Sequence, residues 1–456
     1  MFDRIRIVLL SALLLGLTAG VALGDQPSEA DVFDPDIGEE PQVLTESEML
    51  AMQAEYFAES LGVSVDTAIA QFEYQEQGSA LIDNLVSQID PDVYAGAAFD
   101  FGEGPGELTF WFKGEVPDRA RDIVAASGLP RVSLVGGRSH SEKELIGLSR
   151  AVFAELRGLG YDQVMTGTDV RSERLRVTVV DTPSNVFTAT PQLDELLRSR
   201  VPNLQSVPMD VRVRAIGSTL TNPTHGYGGS WVQDDPTREC TSGFVVRRYS
   251  DWKEGILTAS HCEGINRLEQ HNSTMDPDPV TDFSAPWEGE MLVPRPGVAM
   301  ADIEFHTTTH DDFPLYWVST SSLWSVGSSA SNSDHTVGKR VCSFGRASAR
   351  LRCGDIFDAS FNYTMSWENC GGHSSSDCTV DIHDAVLVDR GCPIGSAESC
   401  WAYKGDSGGP WWVGSKAYGI QSADGGFPGI PGSGYGEIYG KIHHAEDYFG
   451  VFVQTG

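Results

Sequence analysis

The spacing of hydrophobic positions changes character along the chain. In the first half, apolar residues recur every three to four positions over long stretches, a pattern typical of amphipathic helices. Two of these stretches open with a capping box, in which a hydroxyl side chain and a glutamate three residues later satisfy each other's backbone amides. Thr45 with Glu48 predicts a helix through about 60, and Ser141 with Glu144 predicts one through about 159. Further helices are predicted over 65–89 and 118–126.

Between these helices the hydrophobic period falls to two, which predicts strands. The segments 94–101 and 107–113 flank a Gly- and Pro-rich turn and predict a hairpin. A strand is predicted over 131–135, and a second hairpin over 163–180. Together these elements predict a compact α+β domain at residues 42–181, which carries no catalytic constellation of its own.

The pattern changes again beyond this domain. Residues 182–225 mix Pro, Ser, Asn and Thr with few long apolar runs, and we interpret them as a linker. From 226 onward, short apolar runs alternate with Gly- and Ser-containing turns, and a helical period returns only near 441–449. Many short strands with such turns predict an all-β domain over 226–456, a sandwich or barrel.

Charge restricts the possible partners. The chain has 456 residues and a formal net charge of −32, and residues 25–112 contain no lysine or arginine. A length of this order accommodates two or three domains. Acidity in both halves argues against binding to nucleic acid or anionic membranes through charge. Residues 25–41, rich in Asp, Glu and Pro, are predicted to form a disordered acidic leader.

The amino-terminal segment and the cysteines both predict export. Residues 1–24 combine Arg4 and Arg6 with an apolar stretch and small residues, a pattern typical of a signal peptide. No later stretch is long and apolar enough to span a membrane. All eight cysteines lie between Cys240 and Cys400, which predicts disulfides formed outside the cytosol, in an extracellular or periplasmic protein. No Cys-x-x-Cys pair occurs, so we predict neither a zinc site nor any other cofactor.

The candidate chemistry centres on a glycine-rich loop. Gly405-Asp406-Ser407-Gly408-Gly409-Pro410 predicts a tight turn that presents one hydroxyl and directs the amides of Gly405 and Ser407 towards an oxyanion. A serine hydroxyl needs a base to become nucleophilic. His261 comes directly after Ser260, which follows the mainly apolar run 256–259. Asp302 begins the segment 302–305, in which polar and apolar residues alternate. The order along the chain is therefore histidine, aspartate, serine.

These two motifs and their order resemble the chymotrypsin-type serine peptidases, above all the secreted bacterial branch of streptogrisins and α-lytic protease. The resemblance implies a trypsin-like domain of two antiparallel six-stranded β-barrels, with His261 and Asp302 in the first and Ser407 in the second. It also implies that His261, Asp302 and Ser407 form the catalytic triad. The N-terminal α+β domain resembles the pro-regions of this branch, which implies a folding catalyst and inhibitor, with a maturation site in the linker 182–225.

The resemblance also extends to disulfides and to the substrate groove. It implies the pairs Cys240–Cys262 and Cys342–Cys353. Short loops favour Cys370–Cys378 and Cys392–Cys400, although the pairing of these four stays open. Ser422 matches the serine that hydrogen-bonds the catalytic aspartate, and the backbone of Ser422, Ala423 and Asp424 is expected to pair with an extended substrate. Specificity stays open, because Lys404 favours acidic side chains and Asp424 favours basic ones.

One position departs from the family pattern. In bacterial relatives, an arginine just after the first cysteine of the 342–353 loop holds the aspartate that matches Asp406, and here that position is Ser343. A buried aspartate without a partner is costly, so we expect another one. The candidates are Arg340, Arg346 and a new amino terminus created by maturation.

The function predicted from these observations is a secreted serine endopeptidase, made as a zymogen and acting on protein or peptide substrates as a monomer. Asp311 and Asp312 are rival carboxylates for the triad. Two alternatives stay open for the protein as a whole: a catalytically silent binding protein on a peptidase fold, and an esterase. The N-terminal domain has its own alternative, an accessory domain that stays attached.

Overall fold

The computed structural model describes the chain from residue 42 onward, with gaps. The described ranges are 42–102, 104–161, 163–180, 190–214, 222–223, 231–235, 238–262, 265, 267–269, 282–284, 287–291, 300–308, 314–319, 322–367, 378–391, 402–403, 405–426 and 435–455. The predicted signal peptide (1–24) and acidic leader (25–41) therefore lie outside the described residues.

Four helices of the N-terminal half begin and end close to the predicted positions, and a fifth lies where a linker was expected. They are α1 (Glu46–Leu61), α2 (Val65–Val86), α3 (Asp118–Ser127), α4 (Glu142–Gly158) and α5 (Thr190–Arg200), with a short 3₁₀ helix at Leu204–Ser206. Both capping boxes are present, because Thr45 and Ser141 each accept the amide of a glutamate that in turn reaches back to the cap. In the described part of the chain, no helix combines the length and apolar character needed to cross a membrane.

The strands of the N-terminal half belong to three sheets, and the first of them pairs with Ser322–Ser325 of the C-terminal half. They are β1 (Gln42–Val43), β2 (Tyr94–Asp100), β3 (Glu107–Lys113), β4 (Val132–Arg138), β5 (Val164–Asp169), β6 (Arg174–Val180) and β7 (Met209–Arg214). β2, β3 and β4 form one sheet, and its core includes Phe99 and Phe110 together with Leu81 of α2 and Ile123 of α3. β5, β6 and β7 are consecutive in a second sheet.

Residues 190–214 differ from the linker that we expected there. α5 buries Leu193 and Leu197 in the same core as Val177 of β6 and Val211 of β7. β7 then pairs in parallel with β6 over its whole length. Most hydrophobic side chains in this segment are buried, namely Leu193, Leu197, Val201, Leu204, Val207 and Val211. The segment looks like a linker in the sequence because the pairing of β7 with β6 is not visible in its hydrophobic pattern. The N-terminal region therefore extends to Arg214.

The C-terminal half is almost entirely β. Its elements are β8 (Asn222–Pro223), β9 (Trp231–Asp235), β10 (Arg238–Thr241), β11 (Val245–Arg248), β12 (Glu254–Thr258), β13 (Arg267–Glu269), β14 (Asp282–Ser284), β15 (Trp287–Glu290), β16 (Glu304–Thr307), β17 (Leu315–Trp317), β18 (Ser322–Ser325), β19 (Ser328–Ser329), β20 (Arg340–Gly345), β21 (Arg350–Trp367), β22 (Cys378–Asp389), β23 (Pro410–Val413), β24 (Lys416–Gly426), β25 (Tyr435–Lys441), α6 (Ile442–Phe449) and β26 (Val451–Val453), with a 3₁₀ helix at Asn332–Asp334. The predicted mostly-β character is confirmed.

A closed ring of antiparallel strands organises this half. Within the described residues, β20, β23, β24, β25, β22 and β21 pair in that order, and β21 pairs back to β20. The buried side chains of Trp411, Tyr439 and Val388 belong to its core. This ring lies where the second six-stranded barrel was expected. In place of the first, the described part has one sheet of five strands (β15-β16-β12-β11-β26) and one of four (β10-β9-β13-β14).

The N-terminal region and the ring share one sheet. β5 pairs antiparallel with β21, with Thr166 opposite Asn362 and Met165 opposite Tyr363. β21 and β22 are long strands that pair with each other from Asp355 and Asp389 to Trp367 and Cys378, and β21 also pairs with β5 of the N-terminal hairpin. Phe57 of α1 also packs in the same hydrophobic core as Trp411. The two halves thus meet through both backbone pairing and apolar packing.

Candidate active site

Two neighbouring strands place the histidine and the aspartate. β12 and β16 are antiparallel, with Thr258 opposite Glu304. His261 follows the end of β12 and Asp302 precedes the start of β16, so both lie at the same end of the pair. The disulfide between Cys240 and Cys262 links the residue after His261 to β10. Sheet pairing and a covalent bond therefore both restrain the backbone next to the imidazole.

The serine loop is fixed by backbone hydrogen bonds on both sides. The amide of Thr241 donates to the carbonyl of Ser407 over 2.8 Å, and the amide of Gly408 donates to the carbonyl of Gln421 over 2.8 Å. Gly408 has φ 86°, and a Cβ at this position would lie 2.1 Å from the carbonyl oxygen of Thr241. Only glycine fits such a conformation and such a close approach. The loop is therefore clamped between β10 and β24.

The three side chains meet in a hydrogen-bonded line. Nδ1 of His261 lies 2.6 Å from Oδ2 of Asp302, and Nε2 lies 2.7 Å from Oγ of Ser407. The backbone amide of His261 also donates to Oδ1 of Asp302 over 3.0 Å. With Nδ1 protonated and donating to the carboxylate, Nε2 is left as an acceptor for the serine hydroxyl. This arrangement allows the imidazole to act as a base towards Ser407.

The site is dry. Asp302 and Ser407 are each 0% exposed, and the side chain of His261 is 1% exposed. A buried carboxylate needs donors to remain charged. Asp302 has three of them, since Oγ of Ser422 adds a 2.6 Å hydrogen bond to those from the amide and Nδ1 of His261. Because these side chains are buried, each of these interactions is stronger than it would be on the surface.

A tyrosine extends the line beyond Ser422. The phenol oxygen of Tyr363 lies 2.6 Å from Oγ of Ser422. Burial raises the pKa of Tyr363 well above its usual value, so the phenol keeps its proton. Because Ser422 has one proton and donates it to Asp302, Tyr363 is the donor in their shared hydrogen bond. The buried line therefore runs from Tyr363 through Ser422, Asp302 and His261 to Ser407.

The partner of Asp406 is Arg352, and neither arginine named from the sequence fills this role. Nη1 of Arg352 bonds Oδ2 of Asp406, and both side chains are almost fully buried. The amides of Ser348 and Tyr403 add hydrogen bonds of 3.0 Å each to the same carboxylate. Burial raises the pKa of Asp406, and the charge of Arg352 opposes that effect. The expectation that Asp406 has a buried partner is therefore met.

Arg340, one of the partners expected for Asp406, contacts the N-terminal region instead. Its side chain bonds Oε1 of Gln71 and lies 4.7 Å from the centre of the Phe57 ring, both in the N-terminal region. Arg352 was missed, yet the sequence held a signal for it. If Cys342 pairs with Cys353 across an antiparallel hairpin, Ser343 must face Arg352, and the structure has this register. The position opposite the serine thus supplies the arginine.

The other predicted site residues divide into two groups. Ser422, Ala423 and Asp424 lie in β24, and β8 pairs with Ala423 and Asp424. Gly405 has φ 133°, and its carbonyl accepts a 3.3 Å hydrogen bond from the hydroxyl of Thr241. The following residues lie outside the described part of the chain: Lys404, Asp311, Asp312, Cys370, Cys392 and Cys400. Cys378 begins β22, and its side chain is not described.

Comparison with known proteins does not assign this chain to a family. No protein-family model matches the chain. No curated protein matches it either. Similar solved structures include a glutamic acid-specific serine protease (19% identity, TM-score 0.33), a Cellulomonas bogoriensis chymotrypsin (20%, 0.32) and the active form of the Rv3671c protease from M. tuberculosis (15%, 0.24). They cover 50%, 50% and 47% of this chain, and 100%, 98% and 83% of their own lengths. Likeness at this level assigns no family.

Proposed function

We propose that this chain is a serine endopeptidase that is made as an inactive precursor and exported from the cytosol. The observation that carries the proposal is the buried line from Ser422 through Asp302 and His261 to Ser407. Its links are 2.6–2.7 Å long, and its polarity leaves Nε2 of His261 facing the serine hydroxyl. A buried serine paired with a base that a carboxylate orients is suited to acyl transfer.

The chemistry follows from these contacts. Oγ of Ser407 attacks the substrate carbonyl carbon while Nε2 of His261 takes its proton. Asp302 holds the ring in the required tautomer and stabilises its charged form. The C–N bond breaks as His261 returns the proton to the leaving amine, and water then hydrolyses the ester by the same route. The amides of Gly405 and Ser407 bind the oxyanion, each contributing about 3 kcal/mol in the transition state.

The precursor part of the proposal rests on how the N-terminal region meets the ring. β5 extends the sheet at Asn362 and Tyr363, and Tyr363 is itself hydrogen-bonded to Ser422. Gln75 of α2 exchanges two hydrogen bonds with the backbone of Arg340, of 2.7 and 3.1 Å. We propose that residues 42–214 template the non-local pairing of the ring, which is slow in isolated β proteins, and restrict access to the cleft.

Export is supported by the cysteines. The structure contains the disulfides Cys240–Cys262 and Cys342–Cys353. Such bonds form and persist mainly outside the cytosol. Fractionation of cells that express the full chain tests this part. The processed protein is expected in the medium or periplasm, and retention of all of it in the cytosol would contradict export.

The enzymatic part is tested with a fluorophosphonate, which labels an activated serine. The mature protein is expected to carry the label on Ser407 in a peptide digest. Ser407→Ala is expected to abolish labelling, whereas Ser343→Ala, which removes another buried hydroxyl, leaves it intact. Asp302→Asn is expected to lower turnover by about four orders of magnitude while the fold persists.

Substrates then separate the remaining alternatives. A panel of matched peptides and esters is expected to show hydrolysis of both. Cleavage of esters alone makes the protein an esterase. A folded, processed chain that takes no label and cleaves neither class is a binding protein on this fold, and the proposed function is then wrong.

A further inference from the structure

A serine, a histidine and a carboxylate also meet in the N-terminal region, where the sequence predicted no catalytic constellation. Nδ1 of His140 lies 2.8 Å from Oε1 of Glu173, and Nε2 lies 3.1 Å from Oγ of Ser206. His140 precedes α4, Glu173 lies in the turn between β5 and β6, and Ser206 ends the short 3₁₀ helix before β7. Three separate elements therefore bring together the same kinds of group as in the candidate active site.

Glu173 orients the imidazole as a base. Its Oε1 also accepts the backbone amides of Ser139 over 2.8 Å and of His140 over 2.7 Å. A carboxylate can only accept, so Nδ1 of His140 is the donor in the bond that they share. Nε2 is then left as an acceptor for the hydroxyl of Ser206. The candidate active site uses the same two contacts, a backbone amide and Nδ1, to orient its histidine.

The backbone of Glu173 is strained. Its φ is 53°, in the left-handed region that residues other than glycine rarely adopt. Such a conformation persists only where the surrounding structure enforces it, and it is concentrated at functional sites. Here the strained residue is the one that orients His140. A turn that served only to connect β5 and β6 has no need of this strain, since a glycine at this position would relieve it.

The serine and the histidine both line an open cavity. Its volume is about 510 Å³, and Ser206 and His140 belong to its wall. Lys113 and Glu144 also line it and pair with each other over 2.6 Å, so together they add no net charge. Leu148 contributes apolar surface to the same wall. A cavity of this size and lining fits a small neutral molecule with a short apolar group.

We propose that Ser206, His140 and Glu173 form a second hydrolytic site, which cleaves small neutral carboxylic esters. The side chains of His140 and Glu173 are 12% and 17% exposed, against 1% and 0% for their counterparts in the candidate active site. Hydrogen bonds nearer to water are weaker, so the base gains less from its carboxylate here. The leaving group must therefore depart readily, which favours the alcohol of an ester over the amine of a peptide. The inference does not rest on the function proposed for Ser407.

The step balances with water as the second reactant. Oγ of Ser206 attacks the carbonyl carbon of the ester while Nε2 of His140 takes the hydroxyl proton. The bond to the alcohol oxygen breaks, and His140 passes the proton to that oxygen, which releases the alcohol. Water then attacks the acyl group on Ser206 by the same route, which releases the carboxylic acid and restores the serine. Lys113 and Asn203, which line the cavity, carry N–H groups that can donate to the oxyanion.

The test uses the purified full-length chain carrying Ser407→Ala, which lacks the nucleophile of the candidate active site. Its substrate is 4-nitrophenyl acetate, a small neutral ester. We expect saturable hydrolysis, which Ser206→Ala lowers by at least about a hundredfold, because that variant loses the nucleophile on which the base acts. Ser199→Ala is the matched control, since it removes another exposed hydroxyl of the region, bonded to the carbonyl of Leu196 over 2.7 Å. Equal rates for the two variants overturn the inference.

Trapping the acyl group identifies the reacting atom without any change at the site. The Ser407→Ala chain is quenched in acid during turnover, and a peptide digest is expected to carry the acetyl group on Ser206. A fluorophosphonate is expected to label the same serine. Acetylation and labelling that are confined to other residues overturn the inference, even if a Ser206→Ala chain fails to fold. None of these outcomes depends on whether Ser407 is the nucleophile of a peptidase.

His140 and Glu173 are tested through the ring tautomer as well as the rate. Nitrogen-15 NMR of the Ser407→Ala chain, labelled at histidine, is expected to show the His140 proton on Nδ1, and the signal is assigned by its loss in His140→Gln. Glu173→Gln removes the charge that orients the ring, so it is expected to mix the two tautomers and to lower the rate of ester hydrolysis by at least about tenfold. A proton on Nε2 before that substitution, or an unchanged rate after it, overturns the inference.

Discussion

The phenol oxygen of Tyr363 lies 2.6 Å from the hydroxyl oxygen of Ser422, at the far end of the line that leads to Ser407. Tyr363 also pairs through its backbone with Met165 of the N-terminal region. Tyr363 thus contacts both the N-terminal region, through Met165, and Ser422, whose hydroxyl bonds Asp302. We expect Tyr363 to position Ser422, and through it Asp302, without touching the substrate.

Tyr363→Phe tests this role. The variant removes a hydrogen bond worth about 1 kcal/mol, so kcat is expected to fall by about fivefold. KM is expected to stay constant, because the residue acts through Ser422. Steady-state kinetics on the mature enzyme measures both values. Tyr439→Phe is the matched control, since it removes another buried phenol hydroxyl, bonded to His335 over 3.0 Å. Equal effects of the two variants would contradict a positioning role for Tyr363.

Arg352 is expected to be essential to the serine loop. Arg352→Met removes the positive charge that pairs with Asp406 and Glu437, both of which stay buried. Breaking a buried ion pair in this way typically lowers the free energy of unfolding by about 3–5 kcal/mol. Thermal unfolding is therefore expected at a much lower temperature, with loss of fluorophosphonate labelling. Arg350→Met, two residues away and exposed, is the control and is expected to change neither value. Normal labelling of Arg352→Met would show that the loop does not depend on this ion pair.

Gly345 gives a second, steric test of the same loop. A Cβ at this position would lie 2.0 Å from Oδ1 of Asp406 and 2.6 Å from Nη1 of Arg352. Gly345→Ala is therefore expected to displace the carboxylate and to lower kcat by at least about tenfold, as small shifts in catalytic geometry do. Gly147→Ala, at a helix position with open space around it, is the control and leaves kcat unchanged. The prediction fails if the kinetic constants of both variants match those of the parent.

Attachment of the N-terminal region is expected to weaken as the pH rises. Asp358 of β21 is buried against that region and accepts the amide of Thr168 over 2.6 Å. Burial raises its pKa to about 6, while Arg176 acts in the opposite direction. A raised pKa means that the docked state favours the protonated form. Its stabilisation is therefore full below about pH 4, where free aspartate also binds a proton, and is lost by about pH 6.

The measurement is the dissociation constant of the cleaved N-terminal fragment from Ser407→Ala enzyme between pH 4 and 7. A rise of up to about a hundredfold is expected across this window. Asp358→Asn is expected to flatten the curve. Asp92→Asn, which changes an exposed carboxylate paired with Lys143, keeps the full pH dependence. A parent curve that is flat or falls with pH would rule out Asp358 as its cause.

Local signals predicted the N-terminal helices well. The capping boxes at Thr45 and Ser141 depend on residues three apart, so the sequence contains everything needed to place them. His261, Asp302 and Ser407 could be proposed as catalytic residues for a similar reason, because each lies in a short motif. Residues 190–214 and the long strands β21 and β22 were not foreseen, because their pairing depends on strands far away in the sequence.

At the candidate site, too, residues that meet across a sheet could not be predicted from local sequence. Arg352 reaches Asp406 only because β20 and β21 pair with Cys342 opposite Cys353. Tyr363 reaches Ser422 only because β21 belongs to the ring. Neither residue has a neighbour in the sequence that hints at its role. A short sequence motif identifies the candidate reacting groups. The residues that position those groups, such as Arg352 and Tyr363, are identified only once the pairing of the strands is known.

The ion pair between Arg352 and Asp406 has a consequence for the activation of the proposed precursor. Both members belong to the same half of the chain and are joined before any bond is cut. In the proposed maturation, Asp406 therefore needs no new amino terminus as its partner. Activation of the proposed precursor would then require only that the cleaved N-terminal region dissociates. The proposed precursor would stay inactive until that region leaves, so the time to activity would be set by its dissociation rate.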